Sequence, residues 1–335
     1  MKRVLKMIGL GFLALLTIAI VAGAIWERIA QRGAAREFPP TGQLVDIGGR
    51  RIHLDCRGSG SPTVVLIHGL DIGGALSWTA VHDSIARTTR TCGYSRAGIM
   101  WSDPTPAFTA TGIVEDLHAA LTAAGERAPL VLVGHSLGGP INLLYTKRYP
   151  DEVAGLVMVD ASHPEQFIRF QKIGITTESA ALKVLEVAAA LSWTGIGRLM
   201  TGQIKGMPNQ GMDAVLAQRA WAPRSIRGAI AEMKALPAIF AEAAAARELG
   251  DRPLVVLTAM KPMSPEELKT AGFTEEQARS QKEMWLAMHQ EEAGWSTAGR
   301  QVVVPDASHY IQFDRPDLVI AAVLEVVGAV RAASH

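Results

Sequence analysis

The sequence predicts an α/β fold: a mostly parallel sheet with helices on both faces and a helical insertion. Three observations predict it. Runs at residues 63–68 (TVVLIH), 129–134 (PLVLVG) and 153–160 (VAGLVMVD) are apolar without alternation, as strands buried on both faces are. Amphipathic stretches at residues 113–124, 140–148 and 316–331 separate or follow such runs. Between residues 163 and 250 strand-like runs disappear, and the composition turns to Ala, Met, Gln and Trp.

Taken in order, the chain begins with Lys2, Arg3 and Lys6, followed by an uncharged run from residue 7 to residue 26. Twenty helical residues span roughly 30 Å, the thickness of a bilayer's hydrocarbon core. The run reads as a signal anchor; the competing reading is a signal peptide cut near Ala22-Gly23-Ala24. Basic residues flank both ends, and the positive-inside rule gives a weak preference for an outward-facing chain. Residues 27–43 are polar and end in Phe38-Pro39-Pro40-Thr41-Gly42, which reads as a linker. The expected domain therefore covers residues 44–335.

Residues 44–47, Gly48-Gly49 and residues 51–56 form a hairpin pattern. Residues 90–94, 253–258 and 300–304 supply further strands. In the insertion, helical runs are expected at residues 179–191, 212–219 and 226–249, punctuated by prolines at 208, 223 and 237.

Composition excludes several function classes. The chain has 335 residues, with 33 Lys+Arg against 32 Asp+Glu, so its net charge is +1 and nucleic acid is not its expected partner. Hydrophobic residues at 48% and charged residues at 19% mark a globular chain rather than a disordered one. Two cysteines, with no closely spaced Cys/His set, offer no zinc site. No cofactor or metal is expected.

The chemistry centres on Gly134-His135-Ser136-Leu137-Gly138, a G-x-S-x-G motif between a strand and a helix. A serine on such a turn is exposed, the flanking glycines avoid a Cβ clash, and the helix N-terminus points its free N–H groups at the serine. Serine needs a base, and the base an orienting acid. His309 follows the last strand, and loops after parallel strands share one sheet edge, so Ser136 and His309 are expected to meet.

With these residues in place, the chain resembles the α/β-hydrolase family from about residue 44 to residue 335. The resemblance rests on the hairpin start, His68-Gly69, Tyr94-Ser95-Arg96-Ala97-Gly98, the GHSLGG elbow, VMVD, and a terminal histidine followed by Asp314-Arg315-Pro316-Asp317. It implies an eight-stranded sheet, a lid at about residues 163–250, and an oxyanion hole made by the N–H groups of Leu70 and Leu137. The Ile72-Gly73-Gly74 turn is expected to let backbone approach the substrate. The family most often carries its acid after the penultimate strand, where this chain offers only Glu266; some members carry it one strand earlier, where Asp160 ends VAGLVMVD. Asp160 is the expected acid and Glu266 the alternative. Asp306 reads as a turn residue, His135 as packing, and His163 as facing solvent. Where the family often has Asp-Arg-x-Gly-x-Gly, this chain has Ser95-Arg96-Ala97-Gly98-Ile99-Met100.

The family's sheet order makes the strands of Cys56 and Cys92 antiparallel neighbours, close enough for a disulfide, which an exported domain permits; the alternative is two buried free thiols. Phe167, Phe170, Trp193, Met200, Trp221, Met233 and Phe240 suit a lid over an apolar pocket, and ordinary helix packing accounts for most of them equally well. The resemblance implies a serine hydrolase acting on a carboxylic ester or related acyl compound, with the membrane as a partner of the N-terminal segment. The alternative is a non-catalytic ligand-binding protein of the same fold.

Overall fold

The computed structural model describes residues 2–175, 186–187 and 189–333. Eight strands form one sheet: β1 (Gln43–Asp46), β2 (Arg51–Arg57), β3 (Thr63–Ile67), β4 (Thr91–Ser95), β5 (Leu130–His135), β6 (Val153–Val159), β7 (Leu254–Ala259) and β8 (Gly299–Val304). Their order across the sheet is β1-β2-β4-β3-β5-β6-β7-β8. β1 and β2, and β2 and β4, pair antiparallel; every later pair is parallel.

The described helices are α1 (Lys2–Glu37), α2 (His82–Ala86), α3 (Ala110–Ala123), α4 (Gly138–Arg148), α5 (Gln166–Gln171), α6 (Ile196–Thr201), α7 (Met212–Ala243), α8 (Pro265–Ala271), α9 (Glu275–Ala293), α10 (Ile311–Asp314) and α11 (Pro316–Ala333). Both faces of the central strands are covered by helices. On one, Leu130, Leu132 and Leu156 pack with Leu117 of α3 and Ile141 and Tyr145 of α4. On the other, Val131, Val133 and Val157 pack with Ile85 of α2 and Val319, Val323 and Val327 of α11. Burying each such side chain contributes about 1.5–3 kcal/mol, so a strand between two helical layers gains from every residue rather than every second one.

Three sequence expectations need correction. The polar segment expected as a linker is helical as far as Glu37, because nothing breaks the helix before Pro39-Pro40; Glu27 and Ala34 are buried on one side of it. The insertion's two runs at 212–219 and 226–249 merge into one helix, α7, which continues through Pro223 and Pro237 and ends at Ala243, short of residue 249. Tertiary bonds hold the helix beside Pro223, where the ring removes a backbone donor. The Met100 N–H donates to Ser225 Oγ at 2.9 Å, and Arg224 Nη2 donates to the Ser102 carbonyl at 2.7 Å. Finally, α8 and α9 stand between β7 and β8, where the largely polar sequence shows no apolar periodicity that would predict helices. Most of the run expected at 179–191 lies outside the described residues.

Cys56 and Cys92 face each other across β2 and β4 and are joined by a disulfide, with an S–S distance of 2.07 Å. α1 is the described helix long and apolar enough to cross a membrane, with a mean hydropathy of 2.5 in its most apolar window. That property is compatible with a membrane anchor.

Candidate active site

Ser136 stands between the end of β5 and the start of α4 with φ at +51°. A non-glycine residue in the left-handed region costs on the order of 1–3 kcal/mol and persists only where its surroundings fix it. Here the Ser136 carbonyl accepts from Gly139 and Ser162 N–H groups, both at 2.9 Å. The turn is too tight for side chains on either side. A Cβ on Gly134 would lie 2.5 Å from the Gly138 carbonyl carbon, and one on Gly138 would run into the Ile67 carbonyl oxygen. The glycines thus let the elbow sit against the tip of β3, with the serine held clear of the backbone.

Asp160 follows β6, the next strand, also with positive φ (+42°). Its carboxylate is buried and fully engaged. Oδ2 lies 2.7 Å from Nδ1 of His309, while Oδ1 accepts from the Ala259 N–H at 2.8 Å and from Trp285 Nε1 at 2.9 Å. Burial pushes the carboxyl's pKa up, but the hydrogen bond and charge of His309, then His289, outweigh it and hold Asp160 below the usual carboxylate range. An ionised Asp160 makes His309 Nδ1 the protonated nitrogen. The lone pair is left on Nε2.

His309 lies between β8 and α10, and its backbone is tied to the elbow: His135 Nε2 donates to the His309 carbonyl at 2.9 Å, and the two rings are 4.7 Å apart. His135 is buried, and burial together with the neighbouring His309 lowers its pKa to about 3. It therefore stays neutral and serves as a structural link between the residue before Ser136 and the histidine loop. The alternative acid, Glu266, lies exposed in the first turn of α8. Asp306 is exposed and pairs with Arg315 at 2.8 Å.

The loop after β3 carries Leu70. Its shape comes from Asp71, whose Oδ1 accepts the Gly73 and Gly74 N–H groups at 2.8 and 3.0 Å. On the side where a Cβ would sit, Gly73 and Gly74 meet protein rather than open space. A Cβ on Gly74 would lie 2.5 Å from Ser95 Oγ, and one on Gly73 would meet the Gln218 amide of α7 and Ser77 Oγ. Arg96, fully buried, braces the same loop: Nη1 and Nη2 donate to the His68 and Gly69 carbonyls, both at 2.6 Å. Its partner is Glu232 of α7, equally buried, which accepts from Nε and, at 2.9 Å, from Nη2. The insertion helix and the Leu70 loop are thus joined through one ion pair. Ser95, where the family often has aspartate, accepts the Ala75 N–H at 3.0 Å.

A pocket of about 870 Å³ opens beside Leu70, walled by Phe167, Ile230, Met233, Leu236 and Phe240. Charged residues, among them Lys172, Glu186 and Lys234, also line it. His163 does not face solvent as expected. α9 folds back over the start of the insertion and buries it against Trp295, with Glu291 Oε1 3.4 Å from its Nε2. Burial and then Arg169 lower its pKa to about 4.

Sequence reading missed Trp285 and the Arg96–Glu232 pair. A signal for the first was present: Ser264-x-x-Glu267 and Thr274-x-x-Gln277 are capping boxes, which mark α8 and α9 as helices. No local signal pairs residues 136 positions apart.

The alpha/beta hydrolase family profile matches residues 64–322. The chain belongs to the alpha/beta hydrolase family. Among the curated relatives, the uncharacterized protein YbdG of Bacillus subtilis is 23% identical over 175 residues, which cover 52% of this chain and 54% of that protein. The chain spans about half the length of that relative. Solved structures of the same fold include an esterase from Thermogutta terrifontis, with a TM-score of 0.57 and 19% identity, covering 86% of this chain and 98% of that one. A protein of Pseudomonas aeruginosa assigned as an epoxide hydrolase has a TM-score of 0.62 and 18% identity, covering 89% and 99%. At such identities the likeness is one of fold.

Proposed function

We propose that this alpha/beta hydrolase is a serine hydrolase that cleaves a carboxylic ester or a related acyl compound through an acyl-enzyme. The observation that carries the reading is the 2.7 Å contact between His309 Nδ1 and the Asp160 carboxylate, next to a strained serine on the neighbouring strand. Ser136 Oγ attacks the acyl carbon while His309 Nε2 takes its proton. Asp160 keeps the imidazole in the required tautomer and stabilises the imidazolium. The Leu70 and Leu137 N–H groups receive the oxyanion, a contribution of about 3–4 kcal/mol per donor in comparable sites. His309 returns the proton to the leaving alcohol. Water, deprotonated by the same imidazole, then releases the acid and restores Ser136.

The apolar wall of the pocket favours an uncharged acyl chain. α1 is the proposed anchor, with the catalytic part outside the cytoplasm, where the Cys56–Cys92 disulfide persists. Labelling with a fluorophosphonate tests the reading. One equivalent bound at Ser136 is expected; a folded chain that takes no label supports a ligand-binding protein instead.

In this reading Trp285 is a positioning residue. Trp285→Phe removes a donor to an ionised carboxylate, an interaction of about 1.5–3 kcal/mol. The expected result is a fall in kcat of about 10-fold, an unchanged KM and an acid limb of the pH–rate profile moved from its wild-type position. Unaltered kcat and pH profile would rule the role out.

A further inference from the structure

The end of α1 does not leave the domain freely; it is seated on the insertion. A Cβ on Gly23 would collide with the Thr194 carbonyl oxygen, and one on Gly195 would lie 2.7 Å from the Trp26 ring. One turn further on, Glu27 is buried in a two-pronged ion pair with Arg198 of α6, at 2.8 and 2.9 Å. Gln31 donates to the same carboxylate at 2.9 Å. These contacts fix residues 192–198 at the level where the apolar run of α1 ends.

At that level the insertion shows apolar side chains to the outside. Trp193, Ile196 and Leu199 recur at every third position and are 52%, 50% and 70% exposed; Leu191 is exposed beside them. Side chains of this size, clustered on a surface, mark an interaction site. Their neighbour on α1 is a run of twenty uncharged residues from 7 to 26, long enough to cross a hydrocarbon core of roughly 30 Å. Just past it, Arg28, Arg32 and Arg36 are exposed, placed to meet lipid phosphates. Tryptophan at the boundary and arginine just outside it form the usual pattern of an interfacial segment. The patch is thus continuous with a surface made for lipid. The pocket is close by in the chain: Glu186, which lines it and pairs with Lys234 at 3.3 Å, precedes Leu191 by five residues, and the exposed Ile168 is also in its wall.

We propose that the surface formed by Leu191, Trp193, Ile196 and Leu199 docks on the bilayer that α1 crosses, with these side chains in the boundary between headgroups and acyl chains. The pocket then lies against the membrane surface, and its substrates are long-chain esters drawn from the lipid phase. The docking rests on α1 being retained as an anchor; the substrate class also rests on the hydrolase reading above.

Two measurements test it on the full chain in phosphatidylcholine–phosphatidylglycerol vesicles. In the first, Leu199→Cys carries an environment-sensitive fluorophore, the native cysteines being joined to each other. Asp151→Cys, exposed in the turn before β6, is the control. Lipids spin-labelled near the headgroup should quench the label at 199 and not at 151, and iodide quenching at 199 should be at least 3-fold weaker. Equal iodide quenching at both sites, with no quenching by lipid, overturns the docking whatever the chain's activity. In the second, Trp193, Ile196 and Leu199 are all changed to serine. Turnover of a long-chain ester embedded in the vesicles should fall at least 10-fold, while a short soluble ester is cleaved within 2-fold of wild type. Equal turnover of the embedded ester by both proteins overturns the substrate assignment. Wild-type protein that cleaves neither ester refutes the hydrolase reading and with it the substrate class, leaving docking to the quenching result.

Discussion

Ser136→Ala should lower kcat/KM for a p-nitrophenyl ester by about 10⁴- to 10⁶-fold, the range in which losing the nucleophile of a serine–histidine–acid set falls. The residual rate should still exceed that in water, because the backbone donors and the pocket remain. The variant should fold normally. Position 136 holds positive φ through backbone hydrogen bonds from Gly139 and Ser162, which alanine keeps. Because the interaction is lost only in the transition state, KM should change little. Ester kinetics with a thermal melt as control check this. Wild-type kcat in the variant would mean that Ser136 does not attack the ester.

Glu232→Ala should have the largest effect on stability. It leaves the Arg96 guanidinium in the protein interior without its carboxylate, and breaking a buried pair from one side costs about 3–5 kcal/mol. In a domain of this size that corresponds to a fall in Tm of roughly 10 °C. The two remaining Arg96 bonds hold the His68 and Gly69 carbonyls next to Leu70, so the fall should come with reduced kcat. Replacing both partners, Arg96→Met with Glu232→Leu, should recover much of the stability, since no charge is then stranded, but not the kcat. Thermal unfolding of the two single variants and the double variant measures the coupling. A Glu232→Ala variant that melts within 2 °C of wild type would show that the pair does not brace the loop.

What could be read from the sequence follows from where the physical constraint is local. β3, β5 and β6 are apolar on both faces because both faces are covered, so their runs stand out directly. The elbow is legible because close backbone approach demands glycine at 134 and 138. His309 could be placed because parallel strands bring their following loops to one edge. α9 hid because its sequence is largely polar, so periodicity gave little signal; with it hid the Trp285 bond to Asp160 and the burial of His163. α7 runs through two prolines, and beside Pro223 the loop at residues 98–102 holds it by tertiary bonds that no local propensity records. The Arg96–Glu232 pair is a tertiary fact with no sequence spacing of its own.

If Ser136 is the nucleophile, its hydroxyl becomes acylated in every turnover. Acid-quenching the enzyme within the first turnover of a p-nitrophenyl ester, followed by peptide mass mapping, tests this directly. An acyl group on the peptide carrying residue 136, accumulating further in a His309→Ala variant given a highly activated ester, is the predicted result. A quenched enzyme that turns over ester yet carries no acyl group, or carries it on another residue, would show that Ser136 is not the nucleophile.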